Sequence, residues 1–171
     1  LDSADQRSSV VSLAKQVGYT PKSSVSSQAT IDVLVNNGSG ATITMSRGTK
    51  FTTTVDGTNY SFVNNADVSI SPVDGVYKFS NLTIYEGTYL NYKYTANTSD
   101  TEQRFIIPND NVDTNTLTVK VQTSASDSTT NTYTLASGIT NIDSTSKVYF
   151  LQEVENGRFE VYFGDGVLGQ A

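Results

Sequence analysis

Val148-Tyr-Phe-Leu-Gln-Glu-Val-Glu-Asn-Gly-Arg-Phe-Glu-Val-Tyr-Phe163 is followed at once by Gly164-Asp-Gly-Val-Leu-Gly-Gln-Ala171. Apolar and polar residues alternate on both sides of Asn156-Gly157, the period of a strand with one covered face. Asn-Gly accepts the positive φ values of a two-residue type I′ turn, so Lys147 to Glu153 and Arg158 to Phe163 are predicted to be the arms of a β-hairpin. Phe163, Gly164, Asp165, Gly166 and Gly169 then make a glycine-punctuated turn, in which Gly164 and Gly166 are expected to be backbone requirements. Such a turn prepares for a further element, so the chain is expected to be a fragment of something longer.

The same period of two extends back through most of the chain. Ala29, Ile31, Val33 and Val35 alternate with polar neighbours up to Asn37-Gly38-Ser39-Gly40. Thr49 to Val55 and Tyr60 to Val63 flank Asp56-Gly57-Thr58-Asn59, a second hairpin signal. Val76 to Tyr85 and Thr88 to Tyr94 flank Glu86-Gly87, predicting a third hairpin whose aromatics favour cross-strand pairing and a central position. Glu102 to Ile107 and Thr116 to Thr123 are further strand candidates, and the Ser/Thr-rich Ser124 to Asn131 resembles a linker. The fold class expected is mainly β, with antiparallel, sandwich-like modules.

One segment breaks the pattern. Asp2 to Val17 carries Val10, Leu13, Ala14 and Val17 at helical spacing, with Ser3 and Gln6 placed as a capping box and Gly18 placed to end the helix. Pro21 forbids its continuation. The domain organisation expected is a helix and connector over 1–27, a β-sandwich-like domain over 28–123, and the start of a second β domain over 124–171, truncated at the C-terminus.

Composition removes many chemistries. The 171 residues include no Cys and no His, so thiol nucleophiles, disulfides, imidazole bases and Cys/His metal sites are absent together. The net charge of −6, with no basic stripe, argues against nucleic acid. No apolar run approaches the roughly 20 residues of a membrane span. Only 36% of residues are hydrophobic and 16% charged, leaving a surface of Ser, Thr and Asn that suits extended β proteins.

The remaining motifs have ordinary readings beside functional ones. Asp110-Asn-Val-Asp-Thr-Asn115 offers oxygen ligands but lacks EF-hand spacing, and Asn and Asp are favoured in turns. Glu153, Glu155 and Glu160 could supply an acid/base pair, but Glu153 and Glu155 share a face of one strand and sit near the turn, where charge is expected to be solvated. Gly164-Asp-Gly-Val-Leu-Gly169 matches a dinucleotide-binding string without the βαβ context that gives it meaning. Tyr85, Tyr89, Tyr92 and Tyr94 could stack on a sugar, although strand packing is the commoner role of such residues. No metal, cofactor or catalytic residue is assigned.

The order of the segments resembles the baseplate wedge ring proteins of contractile-tailed, T4-type bacteriophages, in the baseplate J-like family. The resemblance runs through Ser12-Leu-Ala-Lys-Gln-Val-Gly-Tyr-Thr-Pro21, Arg47-Gly-Thr-Lys-Phe51, Val55-Asp-Gly-Thr-Asn-Tyr-Ser-Phe62 and Ile84-Tyr-Glu-Gly87. It continues through Phe105-Ile-Ile-Pro-Asn109, Val112-Asp113, Thr116-Leu-Thr-Val119 and Phe163-Gly-Asp-Gly166 with Gly169. It implies a structural, non-enzymatic subunit of the virion tail baseplate, assembled in the bacterial cytoplasm. Its implied partners are copies of itself and other baseplate wedge proteins, contacted during assembly and conformational change, with no nucleic acid and no membrane. Val10, Leu13, Ala14 and Val17 are the candidate interface helix. The alternative is a carbohydrate-binding or adhesin-like β module.

Overall fold

The computed structural model describes all residues except 1–6, 18–20, 37–39, 98, 101, 139, 155–156 and 171. The fold is mainly β with antiparallel pairing, and its one α-helix among the described residues is α1, Arg7–Gln16. Ser3, Gln6 and Gly18, the expected helix ends, lie outside the described residues. The chain divides into two compact units, one formed by Leu1–Val25 with Tyr92–Ala171 and the other by Ser26–Asn91. This differs from the expected division at 27 and 124. Ser124 to Asn131 is no linker, because its residues pair across a hairpin inside one sheet.

The unit Ser26–Asn91 is built on β1 (Gln28–Val35), β3 (Lys50–Val55), β4 (Thr58–Asn64) and β6 (Tyr77–Glu86), in the order β1-β6-β4-β3. A two-stranded ribbon of β2 (Ile43–Met45) and β5 (Val68–Ile70) accompanies the sheet. In β6 the buried residues are Tyr77, Phe79, Leu82 and Ile84, so the buried set passes from odd to even numbers within one strand. A bulge makes this possible: the pairing with β1 shifts between Ile31 and Val33, and Asn81 adopts φ 55°. One extra residue restores the apolar side chains to one face. Asp32 secures the bulge by accepting from the Asn81 N–H at 2.9 Å and pairing with Lys78 Nζ at 2.9 Å. The Asn81 N–H, then Lys78, hold the Asp32 carboxyl below the ordinary aspartate value.

The expected strand at Thr88 to Tyr94 is absent. β6 already pairs with β1 on one side and β4 on the other, and the Gly87 N–H bonds the Ser61 carbonyl at 2.8 Å. At the end of β6 next to Glu86-Gly87, where a hairpin partner would have to start, Ile84 and Tyr85 are already paired on both sides.

The other unit contains the five-stranded sheet β7-β11-β10-β9-β8. Its strands are β7 (Phe105–Ile106), β8 (Val119–Ser124), β9 (Asp127–Leu135), β10 (Val148–Glu153) and β11 (Phe159–Phe163). Pairing is antiparallel except between β9 and β10, where Val148 and Tyr149 run parallel to Thr134 and Leu135. Ile107, Tyr133, Tyr149, Phe159 and Val161 form the buried core, with Leu151 and Phe163 packed against it. Phe163 meets the rings of Phe105 and Tyr133 at centroid distances of 5.9 and 5.4 Å, both edge to face. The N-terminal segment joins this unit through Ser23, whose Oγ lies 2.8 Å from Thr114 Oγ1 and accepts the Thr114 N–H at 3.0 Å.

Candidate functional site

The β10–β11 hairpin forms in the expected register, with Tyr149 opposite Phe163, Leu151 opposite Val161 and Glu153 opposite Phe159. Its loop differs from the two-residue turn expected. The Val154 N–H bonds the Arg158 carbonyl at 2.8 Å, so Val154 and Arg158 form the closing pair, and Glu155 lies outside the described residues. Gly157 has φ 73°, in the left-handed region that glycine enters without steric cost. Asn156 lies outside the described residues.

Period two also sends the carboxylates of this hairpin to opposite faces. Glu153 lies on the core face with Tyr149 and Leu151 and is 1% exposed, whereas Glu160 faces the other side, opposite Gln152. The expectation that Glu153 and Glu155 are solvated near the turn is therefore corrected for Glu153, which is buried, as is Glu160, while Glu155 lies outside the described residues. A sheet separates Glu153 from Glu160, so they cannot flank one scissile bond as a glycosidase pair must.

Glu160 accepts from Arg104 Nη1 at 2.7 Å and from the Gln152 side-chain amide. Arg104 also lies over the Tyr162 ring, 4.8 Å from its centroid, and Tyr162 stacks on Phe150 at 5.2 Å. A guanidinium fork, a buried carboxylate and two stacked rings thus organise the face of this sheet opposite the core. Sequence reasoning missed this cluster. Period two puts Glu160 and Tyr162 on one face of β11, but nothing local in the sequence indicates that Arg104 arrives there next to β7.

The glycine turn after β11 folds back on itself. A Cβ on Gly164 would stand 2.3 Å from the Leu168 carbonyl oxygen and 2.4 Å from that of Gly169. Gly166 and Gly169 have φ 85° and 90°. Asp165 Oδ1 accepts the N–H groups of Val167 and Leu168, each at 2.9 Å, and these bonds, Leu168's first, lower the carboxyl's pKa from 3.8. The Gly166 N–H bonds the Gly169 carbonyl at 3.1 Å, and the Gly169 N–H reaches the Asp143 carbonyl at 3.0 Å. The amides that would cradle a pyrophosphate in a dinucleotide fold are thus engaged by the protein itself.

The remaining candidates are placed as follows. Asp113 caps the 3-10 turn Thr114–Thr116 by accepting the Asn115 N–H at 3.0 Å, and Asn111 donates to Asp110 at 3.0 Å. Among the described residues no group of three acidic side chains is arranged to hold a metal. Tyr85 and Tyr89 belong to one unit, Tyr92 and Tyr94 to the other. Arg47 lies 4.9 Å from the Tyr89 ring centroid, and the Tyr94 hydroxyl donates to the Ile106 carbonyl. On α1, Val10 is 50% exposed and Leu13 47%, Ala14 is half-buried, and Val17, just past the helix end, is 83% exposed.

No curated protein matches the chain. Residues 91–171 match the family model described as the third domain of bacteriophage baseplate wedge protein gp6. That match begins one residue before Tyr92, where the chain re-enters the unit holding the five-stranded sheet. Within it lie Phe105 to Asn109, Val112-Asp113, Thr116 to Val119 and the Phe163 to Gly169 turn, the C-terminal half of the ordered motifs read from the sequence. Over residues 91–171, a little under half of its length, this chain is similar to the third domain of bacteriophage baseplate wedge protein gp6, a likeness that supports a structural role in the phage tail baseplate.

Proposed function

We propose that the chain is a non-enzymatic assembly subunit, whose α1 face docks on another subunit of the baseplate, a second copy of itself or a neighbouring wedge protein. The observation that supports this is the uncovered apolar row of α1: Val10 and Leu13 are half exposed although both sit at the spacing of a buried stripe. A helix of this length is marginal without tertiary packing, so a partner that covers the row stabilises both the helix and the joint. The β units then act as rigid bodies that carry the joint through assembly in the host cytoplasm and through the baseplate's change of shape. The absence of cysteine suits that reducing compartment.

The tyrosine content does not favour the carbohydrate-binding alternative, because the four tyrosines divide between two units and two of them are already engaged. The docking role is tested in phage carrying Leu13→Asp. Completed baseplates in lysates, counted by electron microscopy, should fall by about tenfold or more, since a charge would be buried at the joint. The purified variant should keep the melting temperature of the unaltered chain. Unchanged baseplate yield would defeat the reading.

A further inference from the structure

The edges of the two sheets are not alike. The pairing of β1 is broken at Asp32 by the β6 bulge that stands opposite it, β8 has a register shift between Gln122 and Ser124 and bears Lys120, and β7, β2 and β5 are two or three residues long. Bulges, lysines and short length are the usual means by which an edge strand is kept from pairing with another chain. β3 lacks all three within Phe51-Thr-Thr-Thr-Val55: its pairing with β4 is regular, and no charge or proline interrupts it. It is the outer strand of its sheet, and Thr52, Thr53, Thr54 and Val55 are all exposed.

The backbone of this edge is predisposed to a definite pairing. Val55 and Thr58 close a turn of Asp56-Gly57, with φ 49° and 78°, so Val55, Thr53 and Phe51 bond inward to β4. Lys50, Thr52 and Thr54 consequently direct their N–H and C=O groups outward. We propose that a second copy of this chain pairs with β3 antiparallel through its own β3, about a twofold axis at Thr53, to make one continuous sheet from two. In this register Thr52 faces Thr54 of the partner subunit, so outward-directed backbone meets outward-directed backbone. Phe51 faces Val55 of the partner subunit, covering a side chain that is 52% exposed in one copy. Lys50 comes beside Asp56 of the partner subunit, an opposite-charge pair at each end of the joint. Threonine pairs, an aromatic with a β-branched residue, and opposite charges are all favourable across strands. The contact is isologous and closes at two copies. It shares with the proposed function only the premise that copies of this chain meet, and it uses a different surface.

The test is sedimentation of the 171-residue chain over a concentration series, together with cross-linking of cysteine variants of a chain that has no cysteine of its own. The chain should show a monomer–dimer equilibrium. Thr53→Lys sets two ammonium groups opposite each other on the axis and should weaken the dimer several-fold or more. Thr52→Pro removes an outward N–H and should abolish the dimer while leaving the melting temperature near that of the unaltered chain. Thr53→Cys should form an intermolecular disulfide under mild oxidation, because an opposed non-hydrogen-bonded pair has Cα atoms about 4.5 Å apart. Thr52→Cys should not, since its own counterpart lies about 8 Å away in this register. A chain that stays monomeric, with no more cross-linking at Thr53→Cys than at Thr52→Cys, overturns the proposal. A dimer that survives Thr53→Lys and Thr52→Pro but is lost in Leu13→Asp also overturns it, and assigns self-association to α1.

Discussion

At the scale of the residue, Gly164 is the position where the fold tolerates least. Its backbone passes so close to the Leu168 and Gly169 carbonyls that no Cβ can be accommodated without moving main chain. The sequence pointed to this turn through its glycine spacing, yet it could not distinguish Gly164, which is needed for space, from Gly166, which is needed for its φ of 85°. Gly164→Val should lower unfolding stability by about 2 kcal/mol or more, read by urea denaturation with an unchanged slope. A loss within about 0.5 kcal/mol would show that the turn is not held in this form. The burial of Glu153 was partly legible too, because alternation already set it with Tyr149 and Leu151. The rule that charges near a turn are solvated was the wrong guide there, since the strand continues to Glu153 before the chain turns.

At the scale of the element, legibility followed the number of neighbours a strand has to satisfy. β10 and β11 are adjacent in sequence and paired with each other, so their alternation and the following turn were enough to place them. Thr88 to Tyr94 has a strand's composition and no strand's partner, because the end of β6 where it would begin to pair is filled on both sides. β9 reads as a linker because Ser, Thr and Asn fill it, and only Asn131, half-buried, and Tyr133, buried, face inward. The same logic distinguishes elements within one sheet. β6 is paired on both sides and carries four buried apolar residues, whereas β3 and β4 extend past β6 as an exposed ribbon over Thr52–Tyr60. Amide hydrogen exchange should therefore be slowest in Tyr77–Glu86 and at least about a hundredfold faster around the Asp56-Gly57 turn. Equal protection of the two would contradict the pairing.

At the scale of the whole molecule, the unit that matches the gp6 third domain is completed by the N-terminal segment, so the chain leaves it at Val25 and returns at Tyr92. The intervening unit begins and ends on adjacent strands, with the Glu86 N–H bonded to the Ser27 carbonyl at 2.8 Å. Neighbouring ends let a whole β unit be set into another without disturbing either core. No composition shift marks Val25 or Tyr92, which is why this division was not legible, whereas the ordered motifs that led to the family were. That the chain serves in the tail baseplate is tested most directly by gold-labelled antibody against these 171 residues on purified contractile phage particles from the source. Label confined to the baseplate is the result predicted; label on the fibres, or on bacterial surfaces and not on particles, would contradict it.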